Sequence, residues 1–417
     1  MTWCVDRAAR ATYLFGMSHR LAQRLDVVQP SATLAVSARA AALRAQGRTI
    51  YPFGVGEPDF DTPVHIRDAA KVARDSGHTR YTAVTGTAAL KKPIAARSAE
   101  VRGVPCAPEQ VVVSVGAKHA LFNLALALYE PGDEVICPAP YWVSYPEQVR
   151  LVGATAVTPE TREDEGLLLS PDALSKALTP KTKAVILCTP SNPTGSAYPE
   201  KAMRALLEVL APHDCWLIVD EIYASLVYDG FRHVSALTLA DEKLRARILM
   251  IDGVSKSYAM TGWRIGWSIT PVPLAKALDV VQSQSTTNPA AVAQAAALAA
   301  LTGPQGSIEI MRQRFEARRT RMVDGLRRIP GVKCRAPEGA FYAFADFRAL
   351  YGIEHGGAKI EDDLGVAKFL LEEAGCAAVP GSAFGAPGYL RFSYATSEEN
   401  IDAGLAAAKA AVENARR

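Results

Sequence analysis

The chain has 417 residues, 46 basic and 43 acidic side chains, and a net charge of +3. At roughly 150 residues per domain this length suits two or three domains, and an apolar content of 49% supplies large buried cores. The small charge excess is no footprint for nucleic acid, and 21% charged residues is too few for a disordered chain.

The seven cysteines form no Cys-x-x-Cys pair, and Cys137, Cys188 and Cys215 sit in or beside apolar runs. They read as free thiols of a reducing compartment, which points to the cytoplasm. The histidines show no helical ligand spacing, so no metal site is expected. No apolar stretch reaches the eighteen or so residues of a membrane span. At the N-terminus the apolar part, Ala11 to Phe15, is too short for a secretory signal. Residues 1–16 read as an upstream-start extension or a disordered tail.

In chain order, a helix is expected near 33–46. The stretch Gly86 to Val101 has a helical pattern in which Pro93 should kink or restart the helix. From about 105 to 300, short apolar runs alternate with helical segments. The runs are Val111–Val115, Glu134–Cys137, Ala184–Cys188, Trp216–Val219, Ile248–Ile251 and Ile265–Ile269. Most are rich in β-branched residues and continuous, as in strands buried on both faces of a parallel sheet. Helices are read over Ala117–Leu128, from Pro199-Glu200 through Leu210, and around 290–301. The alternation implies a doubly wound α/β domain. Beyond about 305, Arg312 to Arg328 is a basic helical stretch read as a solvated face. Short strands follow at Phe341–Ala345, Ala377–Val379 and Leu390–Ser393, with helices at 362–374 and from about 398. These form a smaller α+β unit.

In such sheets the functional groups sit at the carboxyl ends of the strands. Here those ends carry Ser114 to Lys118, Pro190 to Gly195, Asp220 to Tyr223 and Ser255-Lys256. A lysine walled from water has a lowered pKa and can attack carbonyls. Asp220 ends a wholly apolar strand, where an unpaired carboxylate is costly, so it needs a partner. Gly116 and Ala117 open a helix whose N–H groups can seat a phosphate. Neither a Walker A nor a G-x-G-x-x-G pattern is present.

With their spacing, these motifs resemble the fold-type I, pyridoxal 5′-phosphate (PLP) dependent class I aminotransferases, in particular the bacterial aspartate aminotransferase branch. The shared landmarks include Gly56-Glu57-Pro58-Asp59-Phe60, Tyr141-Trp142, Ser191-Asn192-Pro193-Thr194-Gly195, Asp220-Glu221-Ile222-Tyr223, Ser255-Lys256, Gly262-Trp263-Arg264 and Leu390-Arg391-Phe392. The resemblance implies a large domain, 63–304, with a mostly parallel seven-stranded sheet that binds PLP. It implies a smaller α+β domain from 30–62 and 305–417, and an arm at 1–29.

It also implies roles. Lys256 would hold PLP as a Schiff base, Asp220 would pair with the ring nitrogen, and Asn192 and Tyr223 would bond the phenolic oxygen. Trp142 would stack on the ring, while Gly116, Ala117, Ser255 and Arg264 would hold the phosphate. Tyr81 would reach the phosphate of a neighbouring subunit, implying a homodimer with shared sites. Arg391 would grip the substrate α-carboxylate beside Gly56, Trp142 and Asn192, Lys118 would meet a distal carboxylate, and Thr33 would line the substrate side. The implied activity is ping-pong transfer of an amino group, with aspartate as donor and 2-oxoglutarate as acceptor. Rival readings are aromatic, alanine or other neutral donors, or a PLP lyase on the same scaffold. Gln29 stands where prephenate-using members carry a basic residue, which argues against prephenate. A transcription regulator with an aminotransferase-like domain would need a helix-turn-helix, for which the segment before Pro30 shows no pattern.

Overall fold

The computed structural model describes residues 22–30 and 32–415. The calls on residues 1–16 and on most of the arm lie outside them. A seven-stranded sheet is built from β1 (Val111–Val115), β2 (Glu134–Ile136), β3 (Thr155–Val157), β4 (Thr182–Cys188), β5 (Trp216–Asp220), β6 (Ile248–Gly253) and β7 (Ile265–Ile269). Its order is β1-β7-β6-β5-β4-β2-β3. Neighbours from β6 to β3 run parallel, while β7 is antiparallel to both β6 and β1. Strands β4 to β7 are buried almost throughout, which is why their sequences lack alternation. Apolar clusters cover both faces of the sheet.

This topology gathers the functional loops at one edge. The carboxyl ends of β1, β4, β5 and β6 all emerge there. Reversed β7 begins at that edge, so Arg264, just before it, faces Gly116, just after β1. The helix Ala117–Leu128 starts at the same place, after Gly116 at φ +81°. Glycine suits a position that most side chains avoid.

A second sheet, order β12-β13-β9-β8, is formed by β8 (Lys333–Cys334), β9 (Tyr342–Asp346), β12 (Val379–Pro380) and β13 (Tyr389–Ser393). A small hairpin of β10 (Glu354–His355) and β11 (Ala358–Lys359) lies apart from it. Long helices Gly306–Arg327 and Glu398–Ala415 pack on this unit around an aromatic core that includes Phe315, Phe341 and Phe392.

Two expectations need correction. The helix Ala88–Arg102 continues through Pro93 and does not restart there. The bond lost there falls on the carbonyl of Ala89, an exposed first-turn residue that water can satisfy. The arginine-rich stretch is also not a purely solvated face. Arg319 is 6% exposed and donates to Asp229 at 2.8 Å and to the Pro337 carbonyl at 3.0 Å. Arg318 pairs with Asp59 at 2.7 Å and lies 5.2 Å over the Phe60 ring. Charge counting misses this because the anions lie far away in sequence. Strand β3 is additional to the runs read from sequence; with exposed Thr155 it is too short and too polar to stand out. Among the described residues, no helix is long and apolar enough to cross a membrane.

Candidate active site

A cleft of about 450 Å³ opens where the two sheets approach each other. It brings together Thr33, Gly56, Ala117, Lys118, Trp142 and Asn192 with Asp220, Tyr223, Ser255, Lys256, Arg264 and Arg391. Gly116 adjoins it through its contact with Arg264. Tyr81 is not part of it: the side chain is 88% exposed on the surface of this chain.

At the floor, Asp220 ends β5 and is 3% exposed. Its Oδ2 accepts from the Tyr145 hydroxyl at 2.8 Å and its Oδ1 from the Ile222 N–H at 3.2 Å. Burial nevertheless raises its pKa to about 6. Lys256 follows β6 and the turn after it, and its Nζ donates to the Gly56 carbonyl at 2.6 Å. Burial lowers the ammonium pKa to about 8; Glu57 opposes the shift, and Arg391 and Arg264 reinforce it. A fraction of this amine is therefore neutral near pH 7, as nucleophilic and base chemistry requires.

Arg264 lies beside Gly116. A Cβ on Gly116 would sit 2.5 Å from Arg264 Nη2, so glycine is needed for this approach. The guanidinium donates to the Thr261 carbonyl at 2.9 Å. This places a cation beside the first turn of Ala117–Leu128, an arrangement suited to an anion.

Arg391, on β13, is 2% exposed. It donates to Asn192 Oδ1 at 2.9 Å and to the Gly54 carbonyl at 2.8 Å. The Tyr342 and Phe384 rings lie 4.6 and 5.1 Å from its guanidinium carbon. Its Nε is buried and has no hydrogen-bond partner. Lys118 sits at the exposed rim with Nζ 5.0 Å over the Trp142 ring. Burial and then Arg264 lower its pKa.

The donor set fits PLP. A buried carboxylate held only by neutral donors matches a ring N–H⁺, an amine of lowered pKa matches an aldehyde, and the Arg264 seat matches a phosphate. Sequence reasoning assigned no role to Tyr145, Tyr342, Gly54 or Glu57. Tyr145 stood in an aromatic run that carried some signal. Tyr342 looks like any strand aromatic until folding places its hydroxyl 2.9 Å from that of Tyr223.

Fold and cleft together define the class: a fold-type I α/β enzyme whose cleft is lined by both Lys256 and Asp220. The profile of the family described as aminotransferase class I and II matches residues 48–407. The chain is 47% identical to the aspartate aminotransferase of Geobacillus stearothermophilus, over 92% of this chain and 96% of that one. It is 46% identical to the aspartate/prephenate aminotransferase of Cereibacter sphaeroides, over 91% and 95%. The crystal structure of the Rhizobium meliloti aspartate aminotransferase superposes with a TM-score of 0.92 at 43% identity, covering 95% of this chain and 99% of that one. The chain belongs to the class I and II aminotransferase family, and it is a PLP-dependent transaminase.

Proposed function

We propose that this enzyme moves the amino group of L-aspartate to a 2-oxo acid, 2-oxoglutarate foremost. The observation that carries the reading is a pair of cations in one cleft: buried Arg391 and Lys118 at the rim. They suit the two carboxylates of a dicarboxylic amino acid, with the planar guanidinium taking one carboxylate in a two-pronged grip. The names of the relatives agree with this donor.

Bound PLP supplies an aldehyde that condenses with amines and a cationic ring that draws electrons from the substrate Cα. Asp220 would hold the ring N–H, Asn192 and Tyr223 would hydrogen-bond the phenolic oxygen, Trp142 would stack on the ring, and Gly116, Ala117, Ser255 and Arg264 would hold the phosphate. Lys256 would hold the aldehyde through its Nζ. The Lys256 Nζ, with its lowered pKa, would be the group able to hold or move a proton at the substrate Cα. Arg391, with Asn192 and Gly56, fixes the α-carboxylate, and Thr33 and Lys118 face the distal end. We read 63–304 as the cofactor-holding domain and 30–62 with 305–417 as the smaller one. Tyr81, so exposed on one chain, supports a homodimer in which it completes the partner's phosphate seat. The free cysteines favour a cytoplasmic setting.

A donor panel tests the substrate. Lys118→Ala should lower kcat/KM for aspartate about tenfold or more, as for a lost charge-assisted contact, and leave alanine turnover nearly unchanged. Equal loss for all donors would remove Lys118 from this role.

A further inference from the structure

We propose that Tyr145 is a positioning residue for transamination: its hydroxyl keeps Asp220 ionised and fixes the carboxylate plane toward the cofactor ring. The inference rests on Asp220 being the partner of the ring nitrogen.

The geometry is specific. Tyr145 lies on the short helix Ser144–Leu151, is 3% exposed, and donates to Asp220 Oδ2 at 2.8 Å. The Ile222 N–H takes Oδ1 at 3.2 Å. Each carboxylate oxygen thus takes one donor and retains capacity for a further one. Trp142 packs edge-on against Tyr145, with centroids 5.4 Å apart and planes at 82°. The phenol is thus held against Trp142, the side chain proposed to cover the ring.

Every charged or titratable neighbour of Asp220 leaves this task to the phenol. Cys188, at the end of β4, is pushed up by burial and by Asp220, so it stays a neutral thiol. Asp252, on β6, raises the pKa of Asp220 by repulsion. Lys256 lowers it, but more weakly than the hydrogen bonds from Tyr145 and the Ile222 N–H. On its own strand end, Glu221 is paired with Arg102 at 2.8 Å, and Tyr223 bonds to Tyr342. Tyr145 itself is held well above its usual pKa by burial and by Asp220, so it remains a donor throughout the working range. Among the described residues, the phenol is the only side chain that hydrogen-bonds Asp220; the other donor is backbone.

The test is the affinity of cofactor-free protein for PLP between pH 5 and 9, read by fluorescence. The affinity should fall on the acid side as Asp220 takes up a proton. Removing a donor to a charged acceptor should move that break upward by about one to two pH units in Tyr145→Phe. Tyr145→Gln keeps an N–H donor and should hold the break within about 0.3 unit of the native protein, on the same conversion. In an Asp220→Asn background, Tyr145→Phe should change nothing. An unmoved break in Tyr145→Phe, or equal shifts in the Phe and Gln variants, would overturn the proposal, the latter because packing alone would be at work. Native-like PLP affinity and turnover in Asp220→Asn would instead overturn the reading of Asp220 itself.

Discussion

Replacing Arg391 with lysine keeps the positive charge and removes the fork. In the native cleft the guanidinium spends one arm on Asn192 Oδ1 and one on the Gly54 carbonyl, and lies between the Tyr342 and Phe384 rings. These contacts set the plane in which its unpartnered Nε edge can meet a carboxylate. An ammonium cannot hold that plane or offer two parallel donors. Charge-assisted hydrogen bonds contribute about 1.5–3 kcal/mol each. With the charge retained, losing one of a pair and misaligning the other costs about 3 kcal/mol, or roughly 100-fold in kcat/KM. The assay is a single turnover: aspartate is mixed with loaded enzyme and conversion of the cofactor to its amine form is followed by absorbance. The loss should appear for aspartate and alanine alike, since both carry the α-carboxylate. A variant within threefold of native for both donors would refute the reasoning, because Arg391 would then not touch the group common to all substrates.

Three further predictions follow from the geometry. With burial lowering Lys256 to about 8, the neutral amine grows about tenfold per pH unit below that value and saturates above it. Stopped-flow recombination of cofactor-free protein with PLP should follow this curve; a rate still climbing at pH 10 contradicts it. Gly116→Ala places a Cβ 2.5 Å from the Arg264 guanidinium at a backbone φ of +81°. Retention of PLP after gel filtration should fall about tenfold or more, the effect of losing one charge-assisted contact, and native retention would show that Arg264 does not seat the phosphate. Arg102 is an 8% exposed side chain paired with Glu221 at 2.8 Å and Asp252 at 2.5 Å. Arg102→Met leaves two buried carboxylates without their cation and should lower unfolding free energy by about 3–5 kcal/mol, measured by urea denaturation. A change below 1 kcal/mol would contradict the reading of Arg102 as the cation on which these carboxylates depend.

Much of this protein is legible along the chain because it depends on local chemistry. Continuous β-branched runs mark β1 and β4 to β7, since strands buried on both faces need apolar side chains at every position. The polar residues that end those runs mark the edge where the cleft lies, and Lys256 and Asp220 stand out because charges beside apolar strands demand a partner. Contacts between remote segments were not legible. Arg391 meets Asn192 across 199 positions and Gly54 across 337. Tyr145 reaches Asp220 only because its helix folds over the end of β5. Arg318 and Arg319 were read as solvated because their anions, Asp59 and Asp229, lie in other elements. The reversal of β7, which sets Arg264 against Gly116, has no trace in composition or period, because an antiparallel strand buried on both faces looks like its parallel neighbours. Side-chain type and spacing thus determined which chemistry the chain could attempt. The three-dimensional arrangement decided which groups share a cleft, because burial and hydrogen bonding act over ångströms rather than over sequence distance.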